Sequence, residues 1–225
     1  MTNNVNNGAA PSLLATAWEQ RETTLYKTLF GDLGAGIYPL GMPLFEELFN
    51  CTEVDPRWLH IGVFECPPTA ERPHWLYVSS GLSNPWDADA SEHDDWSGLG
   101  RELLLECPQQ SPWALAMVRR FAAYQILLAA GHFGDQEPLD AWDRMSVGGP
   151  IDGEKSALSA IIMTPSAHFP DEYQLASGKF AFLQIIGLTA AELAHGRAHD
   201  FEDLLQTLAR QGAAPLVDAG RNSIV

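Results

Sequence analysis

The residues that could do chemistry are concentrated between positions 74 and 96 of this sequence. His74 and Tyr77 carry side chains of the types that serve as general acids and bases. A cluster of carboxylates with no lysine or arginine among them follows: Asp87, Asp89, Glu92, Asp94 and Asp95. These residue types fit acid–base hydrolysis, metal binding or the recognition of a positively charged partner. A histidine or tyrosine beside Trp75 in a strand is, however, more often a packed residue.

The acidic segment, residues 87–95, resembles a calcium-binding loop only in part. Polar side chains fall at alternate positions, as ligands of such a loop do: Asp87, Asp89, Ser91, His93 and Asp95. Glu92, however, occupies the position at which the sharp turn requires glycine, and Gly98 occupies that of the bidentate glutamate. Mutual repulsion of the carboxylates favours an extended, solvated segment. We therefore expect either a solvated face or a protein-contact surface here.

A second possible metal site lies near the C-terminus. His195 and His199 are one helical turn apart and Glu192 precedes them, so one helical face could offer three ligands. A di-iron bundle would need a second Glu-x-x-His motif, which the sequence lacks. We interpret these residues as ordinary polar side chains at a helix end, and we predict no metal and no other cofactor.

The net charge restricts the class of partner. The chain of 225 residues has 29 acidic and 13 basic residues, which gives a formal charge of −16. Such a charge repels a phosphate backbone, so nucleic acid is not expected as a direct partner. An acidic surface instead attracts a basic protein by long-range steering. We predict a protein partner that is basic, or an extended peptide, and the oligomeric state stays open.

Length and composition indicate one cytoplasmic domain. A hydrophobic content of 46% is sufficient for a buried core, and we predict a disordered tail at 1–11 and a single domain at 12–225. The sequence lacks the apolar run of a signal peptide and any stretch long enough to span a membrane. Cys51, Cys66 and Cys107 are odd in number and form no CxxC pair, so reduced core thiols are expected.

The elements that must position these residues follow from periodicity and capping signals. Helices are predicted at 12–30 and 113–130, after a capping box at Thr189, and after Asp200. Strands are predicted at 58–65, 74–79, 157–163 and 179–186, around Met145 to Val147, and in the stretch ending at Glu106. Regular βαβ alternation is absent. The expected fold class is α+β, a single domain with a mixed, largely antiparallel sheet flanked by helices.

The first helix is expected to pack on the core through one apolar face. Its apolar residues recur with helical spacing: Leu14, Ala17, Trp18, Leu25 and Leu29. Gly31 is placed to end the helix.

Tryptophans stand on both sides of the acidic segment. Trp75 and Trp86 precede it and Trp96 follows it. If Trp86 and Trp96 are exposed, the segment is a recognition surface that can anchor a basic or extended peptide. If they are buried, they fix the ends of the segment. The sequence leaves both alternatives open.

Three motifs resemble the Suppressor of fused domain. They read PHWLYVSSGLS, SGLGRELLLE and SGKFAFLQIIGLTAAELAHG, and their order and spacing also fit that family. The resemblance covers roughly Gly36 to Val225. It implies a non-enzymatic α+β domain that binds other proteins. Animal members restrain Gli zinc-finger transcription factors by holding a short extended peptide, which pairs as a strand in a cleft between this domain and a C-terminal one.

The resemblance also implies which residues contact a partner. Tyr77 matches the tyrosine of the PHWxY strand that lines the peptide cleft, and Asp87 or Asp89 lies near the acidic contact of the family. The second domain is expected to be absent here, as in short bacterial members, some of which resemble immunity proteins encoded beside toxins. The complete predicted contact set is Tyr77, Trp86, Asp87, Asp89, Glu92, Asp94, Asp95 and Trp96.

Three hypotheses of function result. The leading one is a non-enzymatic, cytoplasmic protein-binding domain, most concretely an immunity-type inhibitor of a basic toxin. The alternative is an uncharacterised hydrolase or metal-dependent enzyme that uses His74, Tyr77 and the acidic segment. The third is an oligomerising scaffold with Trp86 and Trp96 at a self-contact.

Overall fold

A mixed sheet of eight strands lies at the centre of the protein, whose computed structural model describes residues 12–85 and 96–225. The strands are β1 (Ile37–Pro39), β2 (Gly62–Cys66), β3 (Trp75–Ser80), β4 (Trp96–Cys107), β5 (Arg144–Ser146), β6 (Leu158–Pro165), β7 (Tyr173–Leu175) and β8 (Gly178–Thr189). Their spatial order is β1-β2-β3-β4-β8-β6-β5, and β7 pairs with β8. Only β4 and β8 pair in parallel among these strands. The predicted α+β fold with a mixed, largely antiparallel sheet is confirmed.

The first helical stretch is continuous but changes its winding twice. It consists of α1 (Leu13–Trp18), a π-helical segment (Glu19–Tyr26) and α2 (Lys27–Phe30). The side chain of Ser12 caps it by accepting the Ala15 N–H at 3.2 Å. Gly31 ends it with a φ of 78°, a conformation that favours glycine. The predicted limits of this helix are therefore confirmed.

The π-helical segment decides which side chains face the sheet. Four side chains of this stretch are fully buried: Ala17, Arg21, Tyr26 and Phe30. The step of five residues from Arg21 to Tyr26 reflects the wider π turn. The predicted apolar face placed Trp18 inside, but Trp18 is 38% exposed. That part of the prediction is wrong because a periodicity of 3.6 residues does not hold across wider turns.

Helix α4 (Pro112–Ala129) covers one face of the sheet. It packs on β2, β3 and β4, and Val118 and Ala122 share a core with Leu103 and Leu105 of β4. Helix α3 (Met42–Phe49) lies beside α4. Proline at the start of α4 is tolerated there because the first helical N–H groups have no partner within the helix.

The N-terminal helical stretch and two C-terminal helices cover the opposite face. Tyr26 and Phe30 pack against Phe182 of β8 in one cluster. Helices α5 (Ala190–Ala198) and α6 (Phe201–Arg210) pack in another cluster, in which Leu204 lies with Ile186. Strands β6 and β8 are thus buried on both faces, which explains their continuous apolar sequences.

The short elements were harder to predict than the long ones. The predicted strand at 58–65 begins instead with a 3₁₀-helix (Pro56–His60), and only its second half extends as β2. Strands β1 and β7, of three residues each, were not predicted. The last segment makes one isolated parallel bridge, between Glu106 and Leu216.

Two compositional predictions also have structural counterparts. Cys51, Cys66 and Cys107 are buried and free of disulfide bonds, as predicted. In the part of the chain that the structure describes, no helix has the length and apolarity to cross a membrane. The predicted tail at 1–11 lies outside the described residues.

Candidate protein-binding site

The acidic segment lies between β3 and β4, and the structure describes the residues on either side of it, 81–85 and 96–99, which we call its ends. Trp86 and the predicted contact residues within the segment, Asp87, Asp89, Glu92, Asp94 and Asp95, lie outside the described residues. On the described side, the Leu99 N–H donates to the Leu82 carbonyl at 2.8 Å. The Ser97 hydroxyl donates to the Ser83 carbonyl at 2.7 Å. The two ends are therefore hydrogen-bonded to each other.

Gly98 allows the two ends to approach so closely. Its φ is 57°, in the left-handed region, and a Cβ placed there would lie 2.3 Å from the Asn84 carbonyl oxygen and 2.7 Å from that of Leu82. Any larger residue would separate the chain before the acidic segment from the chain after it. Glycine is thus required at position 98 by this close approach of the backbone.

A buried arginine fixes the beginning of the acidic segment. Arg21 is fully buried, and its guanidinium donates to three polar side chains of one turn. Nε donates to Ser80 Oγ at 2.9 Å, one Nη to Ser83 Oγ at 3.0 Å, and the other Nη to Asn84 Oδ1 at 2.8 Å. Because the guanidinium is planar and rigid, these three bonds hold the turn in one orientation.

A buried glutamate of β4 completes the same turn from the other side. Glu102 is also fully buried, and its Oε1 accepts the Gly81 N–H at 3.0 Å and the Ser83 N–H at 2.9 Å. Ser83 Oγ also donates to Oε1, at 2.6 Å, and Ser79 Oγ donates to Oε2 at 2.5 Å. Arg21 Nε lies 3.8 Å from Glu102 Oε1, so the two buried charges compensate each other.

Trp96 marks the end of the acidic segment. The guanidinium carbon of Arg101 lies 4.4 Å from the centre of the indole, and Lys179 Nζ lies 4.7 Å from it. Arg101 pairs with Asp140 at 2.9 Å, and Lys179 pairs with Glu172 at 3.0 Å. Trp96 is partly buried. The sequence left open whether Trp96 is exposed for recognition or buried to fix the end of the segment. It combines both, because it is held in place and still reaches the surface.

Two surface cavities, each lined by a tryptophan and carboxylates, adjoin these ends. The first, of about 240 Å³, is lined by Trp18, Glu19 and Glu22, among others. The second, of about 250 Å³, is lined by Trp96, Asp171 and Glu172, among others. The first adjoins the beginning of the acidic segment because the Ser80 hydroxyl donates to Glu22 Oε1 at 2.5 Å. Indole rings beside carboxylates suit lysine and arginine side chains, and in the second cavity Arg101 and Lys179 of this chain already lie on the Trp96 ring.

Glu22 is a titrating group at this site. Burial raises the pKa of its carboxyl above the usual 4.5, although the Ser80 hydroxyl and Arg21 act in the opposite direction. A basic group that bound beside Glu22 would favour the charged carboxylate. The partner and the proton would therefore compete at this position.

Tyr77 lies in the core and does not reach the surface. Its side chain is fully buried, and its hydroxyl accepts the Ser111 N–H at 2.7 Å. Burial, the largest effect, raises the pKa of the Tyr77 hydroxyl. Strand β3 is paired on both sides, by β2 and β4, so its backbone is occupied as well. The role of Tyr77 in partner contact stays a prediction, and it would require this region to open.

The structure does not bring His74 and Tyr77 together. Tyr77 packs in the cluster under α4, whereas the neighbouring Leu76 packs in the cluster on the opposite face. His74 Nε2 lies 2.5 Å from Glu106 Oε2, and His168 Nδ1 lies 3.8 Å from Glu106 Oε1. The two residues assigned to the alternative enzyme hypothesis thus make separate contacts.

The three C-terminal side chains that the sequence offered as possible metal ligands, Glu192, His195 and His199, make other contacts in the structure. Glu192 is fully buried and accepts two Arg221 N–H groups at 2.6 and 2.8 Å. His195 and His199 stack with ring centres 4.5 Å apart. Within residues 12–85 and 96–225, no group of three or more His, Cys, Asp or Glu side chains could hold a metal ion.

Arg21 and Glu102 are the site residues that the sequence did not indicate. A lone arginine in a helix is ordinarily an exposed residue. One available signal was the position of Arg21 on the same helical stretch as Tyr26 and Phe30. The other was the serine-rich turn after β3, whose buried polar groups need hydrogen-bond partners.

The fold and the site define a class: an α+β domain with a mixed sheet, helices on both faces, and an acidic connection between two central strands. The family model described as Suppressor of fused protein matches residues 57–222, and the chain belongs to this family. Comparison with curated proteins gives no match.

Solved structures of this family share the fold. The structure of the Sufu–Fu complex matches with a TM-score of 0.54 and 19% identity, over 72% of this chain and 76% of that chain. Drosophila Suppressor of Fused matches with a TM-score of 0.52 and 18% identity, over 67% of this chain and 38% of that chain. A putative homologue from Neisseria gonorrhoeae has 25% identity and a TM-score of 0.48, over 73% and 78% of the two chains.

Proposed function

We propose that this chain is a non-enzymatic protein-binding domain whose acidic segment, with the tryptophan-lined cavities at its two ends, binds a basic partner protein. The observation that carries the proposal is the pair of cavities beside the two ends of the segment, each lined by an indole and carboxylates, with Arg101 also lining the second. The five carboxylates of the segment lie between them in the sequence. Together the carboxylates and the two indoles supply negative charge and aromatic anchors for a basic partner.

The electrostatics support a basic partner. With a charge of −16, the chain attracts positive proteins over distances of several ångströms, and this attraction weakens with salt. The fixed ends of the segment limit the conformations that must be ordered on binding, which reduces the entropy cost. A partner with a basic active site, such as a nuclease toxin, would be blocked because the carboxylates occupy the place of its phosphate substrate. We propose this immunity-type inhibition in the cytoplasm as the concrete form of the function.

Membership of the family supports the protein-binding part of the proposal. One of the solved relatives was determined as a complex of Sufu with Fu, so that protein binds another protein. The contact residues proposed for this chain are Tyr77, Trp86, Asp87, Asp89, Glu92, Asp94, Asp95 and Trp96. Of these, Trp96 is held at the surface in the described part of the chain, beside the cavity that it lines.

Affinity capture from the lysate of the source organism tests the proposal. The test variant replaces Asp87, Asp89, Glu92, Asp94 and Asp95 by their amides. The matched control replaces the same number of exposed carboxylates elsewhere by their amides: Glu46, Glu47, Asp135, Glu137 and Glu154. Both variants have the same net charge, so any difference between them reports on the segment.

We expect wild type and control to retain a basic protein at low salt and the segment variant to lose it. Mass spectrometry then identifies the protein, and co-expression tests whether the chain relieves its toxicity. Retention of the same protein by the segment variant would remove the segment from the mechanism. A captured basic protein that is not toxic would keep the binding function and exclude immunity.

A further inference from the structure

Three polar atoms on the sheet face opposite α4 are buried and have no hydrogen-bond partner among the described residues. They are Oε1 of Glu106 and both Oε1 and Nε2 of Gln184, and each of these two side chains is 1% exposed. Leu104 and Gln184 are partners in the register of β4 and β8, and Leu104 packs in the same cluster as Phe182. Because alternate residues of a strand share a face, Glu106 lies on this face with Leu104.

The segment that joins β6 to β7, residues 166–172, begins beside these atoms, and we call it the strap. Thr164, near the end of β6, is the register partner of Gln184. From the strap, His168 Nδ1 lies 3.8 Å from Glu106 Oε1, which is too long for a hydrogen bond. The strap therefore covers this part of the sheet without supplying hydrogen bonds to the three polar atoms.

Few contacts hold the strap on the sheet. The ring of Phe169 packs against those of Phe30 and Phe182, with centres 5.4 and 5.7 Å apart, and Phe169 is only partly buried. Within residues 12–85 and 96–225, no hydrogen bond joins the backbone of the strap to another backbone group. Glu172 pairs with Lys179 at 3.0 Å, but an ion pair as exposed as this one contributes little to stability. One aromatic side chain thus supplies most of the attachment.

The forces that close and open the strap oppose each other. Closing buries the Phe169 ring, which is favourable, but it leaves three polar atoms that solvent cannot reach. Each such atom loses the free energy of its hydration and gains no hydrogen bond in return. Opening reverses both effects, because water then reaches Gln184 and Glu106. We therefore expect the closed and open arrangements to be close in free energy, so that the strap opens while the sheet stays folded.

The strap also forms part of the cavity of about 250 Å³ that Trp96 lines. Four of its residues contribute to the lining: Ser166, Pro170, Asp171 and Glu172. When the strap lifts, the cavity loses the carboxylates of Asp171 and Glu172 from its wall. A ligand that contacts these carboxylates binds the closed arrangement better than the open one and therefore favours closure.

We propose that the strap is a lid, which opens and closes over Gln184 and Glu106 and which assembles the Trp96 cavity when it is closed. Opening hydrates the buried polar atoms, and closing packs Phe169 on the sheet and brings two carboxylates to the cavity. The motion itself is independent of the proposed function. Its effect on partner binding rests on that function, because it concerns the cavity at one end of the acidic segment.

Two glutamines that are each 1% exposed provide a matched test on the full chain. Gln184→Leu removes two of the unpartnered atoms, whereas Gln125→Leu removes an amide that donates to the Leu139 carbonyl at 2.8 Å and accepts the Leu139 N–H at 2.6 Å. NMR relaxation dispersion at the backbone amides of residues 167–169 detects opening on the microsecond-to-millisecond timescale. The exchange contribution seen in wild type should fall by about threefold or more in Gln184→Leu, with no loss in the urea midpoint. Gln125→Leu should lower the midpoint and leave the exchange contribution unchanged.

Phe169→Ala tests the closing contact. Without the ring the strap should be open more of the time, so the side-chain N–H₂ protons of Gln184 should exchange with solvent about tenfold faster than in wild type. The side-chain N–H₂ protons of Gln125 in the same sample are the internal reference and should not change. Either of two results would overturn the lid: a Gln184→Leu variant that loses as much stability as Gln125→Leu, or unchanged exchange of the Gln184 protons in Phe169→Ala.

A hexalysine peptide probes the link between the strap and the cavity. Bound in the cavity, it should shift the Trp96 indole N–H resonance and reduce the exchange contribution at residues 167–169, because it favours the closed strap. A peptide that shifts the indole resonance and leaves the exchange contribution unchanged would overturn this link. A peptide that does not bind would count against the proposed function, whereas the variants of Gln184 and Phe169 decide the lid without it.

Discussion

Arg21 and Glu102 lie buried on either side of the turn that begins the acidic segment, with Arg21 Nε 3.8 Å from Glu102 Oε1. Most hydrogen bonds of the two side chains go to the same turn, and their contact with each other is this ion pair. Ser83 shows this most directly, since its hydroxyl accepts from Arg21 and donates to Glu102. A positive charge from the N-terminal helix and a negative charge from β4 thus fix the turn that precedes the acidic segment.

Removing one of these charges is expected to destabilise the protein strongly. Glu102→Gln keeps the shape of the side chain but leaves the buried Arg21 guanidinium with only the partly buried Glu22, at 3.7 Å, as a charged partner, so the free energy of unfolding should fall by about 3 kcal/mol. Urea denaturation at neutral pH measures this. Glu172→Gln, which breaks the exposed pair with Lys179, is the control and should cost less than about 1 kcal/mol. Equal small effects for the two variants would contradict the assigned role of the buried pair.

Glu22 predicts a pH dependence with a definite sign. Because burial raises the pKa of its carboxyl in the folded state above 4.5, the charged form is disfavoured in the folded protein. Its contribution to stability is present at low pH and is lost as the pH rises through the folded pKa. Glu22→Gln should therefore be more stable than wild type at pH 7, and the difference should disappear below the unfolded pKa of about 4.5. Urea midpoints at several pH values measure it, with the exposed Glu19→Gln as the control.

The sequence predicted those elements whose signals are local. The capping box from Thr189 to Glu192 is present, with the Glu192 N–H donating to Thr189 Oγ1 at 3.1 Å and the Thr189 N–H donating to Glu192 Oε2 at 2.8 Å. Gly31 ends the first helix where predicted, and the long apolar strands are correctly placed. Each of these features depends on residues close together in the sequence.

The sequence did not predict features that depend on distant residues. Arg21 lies 59 positions from Ser80, so its burial follows only from the assembled sheet. The π-helical segment likewise has no strong local signal, and it turns Trp18 outward against the apolar pattern. Trp142 was not singled out, because the positive φ that exposes it arises from the pairing of its strand with β6. Tertiary contacts override periodicity at these positions.

Substitution of Gly98 separates the effect of steric crowding on stability from the effect of backbone strain. Gly98→Ala places a Cβ 2.3 Å from the Asn84 carbonyl oxygen at a φ of 57°, whereas Gly148→Ala meets no atom within 4 Å at a φ of 88°. Both variants carry strain of about 1–3 kcal/mol, and only Gly98→Ala must also separate the ends of the acidic segment. We expect a larger loss of unfolding free energy and of partner capture for Gly98→Ala. Equal losses would show that the close approach is not required.

The core cysteines are expected to be unreactive in the folded protein. Burial raises the pKa of the Cys66 thiol to about 12 and that of Cys107 to about 11, so little thiolate exists at pH 8. Both side chains are also inaccessible. Iodoacetamide should leave Cys66 and Cys107 unmodified in the native protein and alkylate both in urea, as measured by mass spectrometry of the digested chain. Rapid alkylation without denaturant would show that these parts of the core open readily.

The Glu192 carboxylate should make stability depend on pH in the opposite direction from Glu22. Burial raises the pKa of Glu192, but hydrogen bonds from Arg221 and from the N–H groups of Thr189 and Ile224 outweigh it, so the pKa is lowered from 4.5. Its stabilising contribution is therefore present above the unfolded pKa and is lost as the pH falls through the folded one. Glu192→Gln should lower the urea midpoint at pH 7, and the difference from wild type should shrink as the pH falls below about 4.5.

The exposed Glu137→Gln is the control for this prediction and should match wild type at both pH values. Because Arg221 also donates to the Gly187 carbonyl at 2.8 Å, Glu192→Gln should additionally loosen the last residues of the chain from β8. Amide hydrogen exchange should then increase at Ile224, whose N–H donates to Glu192 Oε1 at 3.1 Å. Unchanged exchange at Ile224 together with a lower urea midpoint would confine the role of Glu192 to the capping of α5.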